Sequence, residues 1–310
     1  MTMPQGYRLL TPQDAHMVRE WTACQGNFLP DAYAPGNIIA WGSRYAPAFR
    51  ADGSSFWMFS ARSGSLFFPL RRGGPPPSPA EVRREAEAIA AQCGEPAIHC
   101  VPVEWAEANR SALEDWRRVE VSRDFQDYVY AAADLAELPG AKYGAKRNLI
   151  HQFEREHPGW RVEPLSAEPM KCARMQAFIE EWRMTADDTA GSLDGDLEAL
   201  ATAFRHWGLG VYGGLALYAD DAARGPGALL AFSVFSIPTD DMADTHFEKA
   251  VRDVKGAYQL INRETARLLR ARGISWIDRE EDMGVPGLRR AKESYHPAML
   301  MPVCSLVPRA

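Results

Sequence analysis

The apolar positions of this chain change their period from segment to segment, and those changes mark its elements. Val82, Ala86, Ile89 and Cys93 recur at spacings of 4, 3 and 4, the buried stripe of an amphipathic helix. Ser78-Pro-Ala-Glu81 in front of them is a capping-box pattern. It follows a loop, Arg71-Arg-Gly-Gly-Pro-Pro-Pro77. Thr11-Pro-Gln-Asp14 predicts another helix start, with Pro at its first position. Short apolar runs predict a hairpin of strands over 56–60 and 65–70 around Arg62-Ser-Gly64. Further strands are predicted over 97–101 and 125–132.

After Pro139-Gly140 the period returns to that of a helix. Leu149, Ile150 and Phe153 give it an apolar side, and Lys142, Lys146, Arg147 and Arg155 a basic one. This helix, within 140–159, is read as a bridge between an N-terminal domain over 1–139 and a C-terminal domain over 160–310. The second half predicts a strand over 160–165 and a helix with Met175, Phe178 and Trp182 on one face. Strands follow over 211–219, 228–237 and 244–250. A glycine loop and an amphipathic helix then run to Gly273. A strand over 274–280, a short helix from Leu288 to Tyr295 and a last strand over 297–307 complete it. That order is the acyltransferase fold called GNAT. Similar order in the first half predicts a tandem α/β (α+β) protein with two mixed sheets flanked by helices.

Composition narrows the function classes. The chain has 310 residues and a net charge of −6, so no global basic field draws in nucleic acid. Its five cysteines form no C-x-x-C pair, which points to a reducing compartment. Without a Cys/His cluster, no metal site is predicted. The start, MTMPQGYRLL, lacks the form of a signal peptide. The longest near-apolar run, Gly227 to Ile237, is too short to span a bilayer. A cytoplasmic protein is expected.

Four constellations carry chemistry. Arg252-Asp-Val-Lys255-Gly256 lies between a strand and a helix start. A glycine there lets backbone N–H groups and the helix dipole meet an anion. GNAT enzymes hold the pyrophosphate of coenzyme A at this place; a solvated helix entry is the bland reading. In Thr245-His-Phe-Glu248-Lys249 alternation puts His246 and Glu248 on one face and Phe247 and Lys249 on the other, so one charge is desolvated, functionally or in an edge-strand salt bridge. In DREEDMGVPGLRRAKESY (278–295), Asp278, Glu280 and Asp282 share a face if the strand persists. Gly284-Val-Pro-Gly287 folds the basic side formed by Arg289, Lys292 and Tyr295 back towards them. This is either a scaffold network or the wall of a site. The basic helix offers Lys142, Lys146 and Arg147 to a phosphate backbone or to solvent.

The stretches HFEKA (246–250), KGAYQLIN (255–262) and DREEDMGVPGLRRAKESYHP (278–297) resemble the phosphatidylglycerol lysyltransferase C-terminal-domain family, as do DYVY (127–130) and KYGAKRN (142–148). Asp278 stands where members commonly carry Asn. The resemblance implies a tandem GNAT-like fold and transfer of an amino acid from aminoacyl-tRNA to a hydroxyl or amine of a lipid, peptide or small-molecule acceptor. No cofactor beyond that co-substrate is expected. An acetyl-CoA-dependent N-acyltransferase and a non-catalytic small-molecule-binding protein of the same fold are the alternatives. For aminoacyl transfer, Glu248, Glu280, Asp282 and Tyr295 are the catalytic candidates. Arg252, Lys255, Gly256, Asn262, Arg289 and Lys292 are the phosphate- or substrate-binding candidates. Lys142, Lys146 and Arg147 are those for tRNA contact.

Overall fold

A computed structural model describes residues 3–26, 29–94, 97–185 and 193–309. The first half runs β1 (Arg8–Leu9), α1 (Ala15–Ala23), α2 (Pro35–Ala40), α3 (Gly42–Tyr45), β2 (Pro47–Ala51), β3 (Ser55–Ser60), β4 (Leu66–Arg71), α4 (Pro79–Cys93), β5 (Ile98–Pro102), α5 (Val103–Ala108), β6 (Trp116–Glu120), β7 (Tyr128–Ala131) and α6 (Ala132–Glu137). The second half runs α7 (Gly144–Glu156), β8 (Arg161–Pro164), α8 (Ala173–Thr185), α9 (Leu193–Arg205), β9 (Tyr212–Asp221), β10 (Gly225–Ser236), β11 (Met242–Ala250), α10 (Ala257–Ala271), β12 (Trp276–Asp278), α11 (Pro286–Glu293), β13 (Met299–Leu300) and β14 (Val303–Pro308).

The local signals act as their chemistry requires. Ser78 and Glu81 form both halves of the capping box at the start of α4. Val82, Ala86 and Ile89 are buried beneath the first sheet; Cys93, the fourth stripe position, lies outside the described side chains. Thr11 and Asp14 pair as a second capping box, but it opens a single 3-10 turn from which α1 continues. The four described cysteine side chains are free thiols.

Two mixed seven-stranded sheets result, in the orders β1-β2-β3-β4-β5-β14-β6 and β13-β7-β12-β11-β10-β9-β8. The second half has the expected GNAT-like succession. Three antiparallel strands, β9 to β11, lead through a glycine into α10, and β12 then pairs parallel with β11. Sheet membership does not follow the chain in sequence. β7 lies beside β12 in the second sheet, and β14 lies between β5 and β6 in the first. The single last strand expected over 297–307 is therefore two strands in different sheets. Pro302, between them, has no N–H to continue a ladder.

α10 packs on the second sheet beneath α6 and α7. Gly256, its N-cap, has φ +88°, and a Cβ there would fall 2.3 Å from the Leu149 carbonyl oxygen of α7. Glycine is thus imposed by a helix crossing and a left-handed backbone together. Gly256→Ala is expected to destabilise the protein by about 2 kcal/mol or more. Denaturant unfolding checks this; a variant as stable as the parent refutes the crossing.

Candidate active site

β12 ends at Asp278 while β11 continues to Ala250. Past the Asp244–Asp278 pair, residues 245–250 of β11 have no strand on that side. The chain after β12 fills the opening with side chains. The strand expected to persist to Glu280 stops because Glu280 takes φ +59°, a conformation costly for any residue with a Cβ. The alternation of Asp278, Glu280 and Asp282 is thereby broken. Successive side chains go three ways.

Arg279 turns beneath α10, where its Nη2 donates to Glu248 Oε1 at 2.9 Å. Asn262 Nδ2 donates to Glu248 Oε2, also at 2.9 Å. The guanidinium lies 5.0 Å from the Tyr295 ring centroid, and Lys146 Nζ lies 4.1 Å from it. Lys146 also donates to Ser294 Oγ at 2.6 Å. Burial, then the neighbouring Arg279 charge, push the Lys146 amine down to about 8. In this cluster Arg279 Nη1 and Asn262 Oδ1 are buried without a hydrogen-bond partner, one donor and one acceptor left unsatisfied by the protein.

Glu280 turns to the other side and meets His246. The β10–β11 register slips here, pairing Val234 with Phe247 and Phe235 with Thr245. His246 is therefore the extra residue of a bulge. That corrects the strict alternation expected for 245–249, since a bulge re-aims its side chain. His246 Nδ1 lies 2.8 Å from Glu280 Oε1, and Nε2 lies 2.8 Å from Ser236 Oγ. With a carboxylate on Nδ1, that nitrogen carries the proton and Nε2 accepts from the serine. Gly36 of α2 leaves room for this ring, because a Cβ there would fall 2.4 Å from Nε2. The edge-strand alternative weighed for 245–249 does not hold, because β11 is an interior strand, and Lys249 on it is buried. It bonds Asp196 at 2.5 Å and covers the Trp182 ring at 4.0 Å.

Glu281 and Glu280 approach Asp31, with one carboxylate oxygen of each within 4.8 Å of the others. Deeper in lie Asp127, Asp244 and Asp278, all buried. Burial, and then the neighbouring carboxylates, push Asp31, Asp127, Asp244 and Asp278 well above the usual carboxylate range. Burial and Glu280 push Glu281 up as well.

Asp282 is separated from this group. It accepts from Arg289 Nε and Nη2 at 2.8 and 2.7 Å, from Tyr128 Oη at 2.5 Å and from the Gly284 amide at 2.9 Å. Arg289 first, with these other donors, holds its carboxyl well below the usual range. Such a group is an anchor and a poor base. Arg289, spent on Asp282 and Asp124, is likewise an anchor. Lys292 is buried, and its ammonium donates to the backbone carbonyls of Arg279, Glu280 and Glu281. The basic side of the signature does fold back on its acidic side, but onto Asp282 and the backbone, which leaves little charge for a phosphate. α11 begins at Pro286, two residues before the expected start. Tyr295, just past its end, is a buried ring between two cations.

The remaining candidates are dispersed. Arg252 and Lys255 are exposed. Lys142 is exposed, 3.6 Å from Asp134. Arg147 donates to the carbonyls of Leu138 and Gly140. Sequence reading missed Asp31, Asp127, Asp244, Ser236 and Arg279. Asp127 and Asp244 each carry a charge at the edge of an apolar strand, a legible signal. Asp31 and Ser236 offer none.

Two mixed sheets, a parallel pair opening past β12 and polar side chains converging in that opening define a GNAT-like transferase. The chain belongs to the phosphatidylglycerol lysyltransferase C-terminal family, whose model matches residues 29–303. Solved structures share the architecture. A conserved protein of unknown function from Bacteroides thetaiotaomicron aligns with TM-score 0.85 at 24% identity, covering 99% of this chain and 100% of that one. L-PGS from Bacillus licheniformis aligns with TM-score 0.66 at 13% identity, covering 98% and 94%. The C-terminal domain of a putative lysylphosphatidylglycerol synthetase from Agrobacterium fabrum gives 0.64 at 14%, covering 96% and 92%. No curated protein matches. No helix among the described residues is long and apolar enough to cross a membrane.

Two predictions follow from this geometry. Lys292→Met leaves the Arg279 and Glu281 carbonyls without their buried donor, that of Glu280 keeping the Tyr128 amide, and is expected to cost on the order of 3 kcal/mol. Chemical unfolding measures it, and a loss near zero would contradict the role. Lys146 titrates in the folded protein at about 8, against 10.5 in an unperturbed lysine. The unfolded chain then binds more protons between these values, so this group's contribution to stability rises with pH across that window. NMR titration of isotopically methylated lysines, with Lys146→Met for assignment, should show a midpoint near 8; a midpoint near 10.5 would exclude it.

Proposed function

We propose that this protein transfers an amino acid from aminoacyl-tRNA to a hydroxyl or amine of a lipid, peptide or small-molecule acceptor. The observation that carries the choice of donor is the contact between Gly256 and the Leu149 carbonyl. An acyl-CoA enzyme of this fold needs the N-terminus of α10 open to a pyrophosphate. Here Leu149 and Phe153 of α7 pack against Gly256, the residue that opens α10, and a carbonyl oxygen beside that end disfavours an anion. Family membership supports the same reading.

In this reading the ester donor is already activated, so the protein aligns the acceptor, removes its proton and stabilises an oxyanion. His246, oriented by Glu280, is the proton carrier. The open donor of Arg279 faces developing negative charge, and Asn262 Oδ1 accepts from the substrate. Glu248 fixes both. Lys146, Lys142 and Arg147 border the entrance for the tRNA end, and no further cofactor is used.

The test is incubation of the purified chain with a pool of radiolabelled aminoacyl-tRNAs and a cell extract, followed by mass spectrometry of newly aminoacylated species. Label should appear in an acceptor and fall about a hundredfold or more with Arg279→Lys, which loses the planar fork. Transfer from acetyl-CoA in place of aminoacyl-tRNA would overturn the reading.

A further inference from the structure

The carboxylates around β12 pose a problem of charge, and the transfer chemistry uses only one of them, Glu280. Six of them, Asp31, Asp127, Asp244, Asp278, Glu280 and Glu281, come together from four separate parts of the chain. Asp244 and Asp278 are side by side on the parallel pair β11–β12 and fully buried. Both oxygens of Asp244 and Oδ2 of Asp278 have no hydrogen-bond partner. Asp278 Oδ1 accepts from the Glu280 amide at 2.6 Å and Asp127 Oδ2 from the Asp31 amide at 3.4 Å, which ties the buried carboxylates to the outer ones. Unpaired buried carboxylates of this kind are strongly disfavoured.

The cations nearby cannot balance six carboxylates. The Lys292 ammonium bonds backbone carbonyls and lies near Glu280 and Glu281, but brings a single charge. His246 meets only Glu280. The outer three, Asp31, Glu280 and Glu281, are partly exposed, whereas Asp127, Asp244 and Asp278 are closed off. The arrangement is a funnel, with partly exposed carboxylates in front and buried ones behind.

We infer that this funnel binds a divalent cation of the magnesium, manganese or calcium kind, held by one oxygen each from Asp31, Glu280 and Glu281. Their oxygens lie within 4.8 Å of one another, a spread that one ion can bridge. The donors are all carboxylates, the ligands of hard cations. Both nitrogens of His246 are taken, by Glu280 and Ser236, so no imidazole is free to favour zinc. Asp244 and Asp278 supply negative charge behind the ion. An ammonium group brings a single charge to this excess and leaves more of it uncompensated. The inference does not depend on the transfer reaction, because the ion is detected by binding alone.

The test uses the full chain stripped with chelator and titrated with MnCl2, CaCl2 or MgCl2 alone. Thermal stability should rise saturably with at least one of them, and manganese paramagnetic resonance should count one bound ion per chain. Glu281→Gln and Asp31→Asn relieve repulsion and should fold at least as well as the parent without metal. Each should weaken binding by about tenfold or more. Three results would each overturn the site. One is no stabilisation by any of the three ions, which would mean that shared protons neutralise the carboxylates. Another is an equal response from parent and variants. The last is saturable stabilisation by a small diamine with none by the metals.

Discussion

The site depends on one buried ammonium. Lys292 reaches back from α11 to the carbonyls of Arg279, Glu280 and Glu281. Those carbonyls belong to a segment that has just left β12; the Glu280 carbonyl still accepts from the Tyr128 amide, while those of Arg279 and Glu281 rely on the ammonium. Without a donor, an unpaired and partly buried backbone would relax towards solvent. With it, Glu280 can hold φ +59°, and adjacent side chains diverge towards Glu248, His246 and Asp31. One cation thus fixes the directions of three functional groups. Burial lowers its pKa, and the negative charge of Glu280 and Glu281 nearby offsets part of that cost.

A second support comes from Asp282 and Arg289. Their paired bonds close the Gly284–Gly287 turn and draw α11 against Tyr128 of β7. The signature is therefore mostly a brace: Asp282, Arg289 and Lys292 build a rigid loop, and Arg279, Glu280 and Glu281 are what the loop presents. This separates residues that shape a site from residues that face a ligand. Charge density alone does not make that separation.

Much of the fold was legible because its signals are local. The capping box at Ser78, the stripe through Val82, Ala86 and Ile89, and the strand–glycine–helix order around Gly256 each act within one or two turns of chain. The sheet exchanges were not. Nothing in Val303–Pro308 says that it lies between β5 and β6, since any apolar alternating strand would read alike. The site divides the same way. Glu248, Asn262 and Glu280 lie in stretches whose pattern breaks the surrounding periodicity. Asp31 lies in a loop some hundred residues before Asp127 and is brought to it only by the tertiary fold. The bulge at His246 was also invisible, because a one-residue slip is decided by the partner strand.

Asp278 shows how one side chain can change the character of a fixed framework. Sequences of this kind commonly carry Asn at that position, directly beside Asp244 on the parallel pair. An amide there can donate to the neighbouring carboxylate and compensate its burial. A carboxylate has no proton to donate unless it is neutral, so the exchange removes a donor and adds a charge in the same place. Both oxygens of Asp244 are left unpartnered. The backbone around them is held by Lys292 and the β12 register. A proton or a cation meets the excess charge. Asp278→Asn would place a donor beside Asp244, whereas the aspartate leaves that carboxylate in need of a proton or a positive partner.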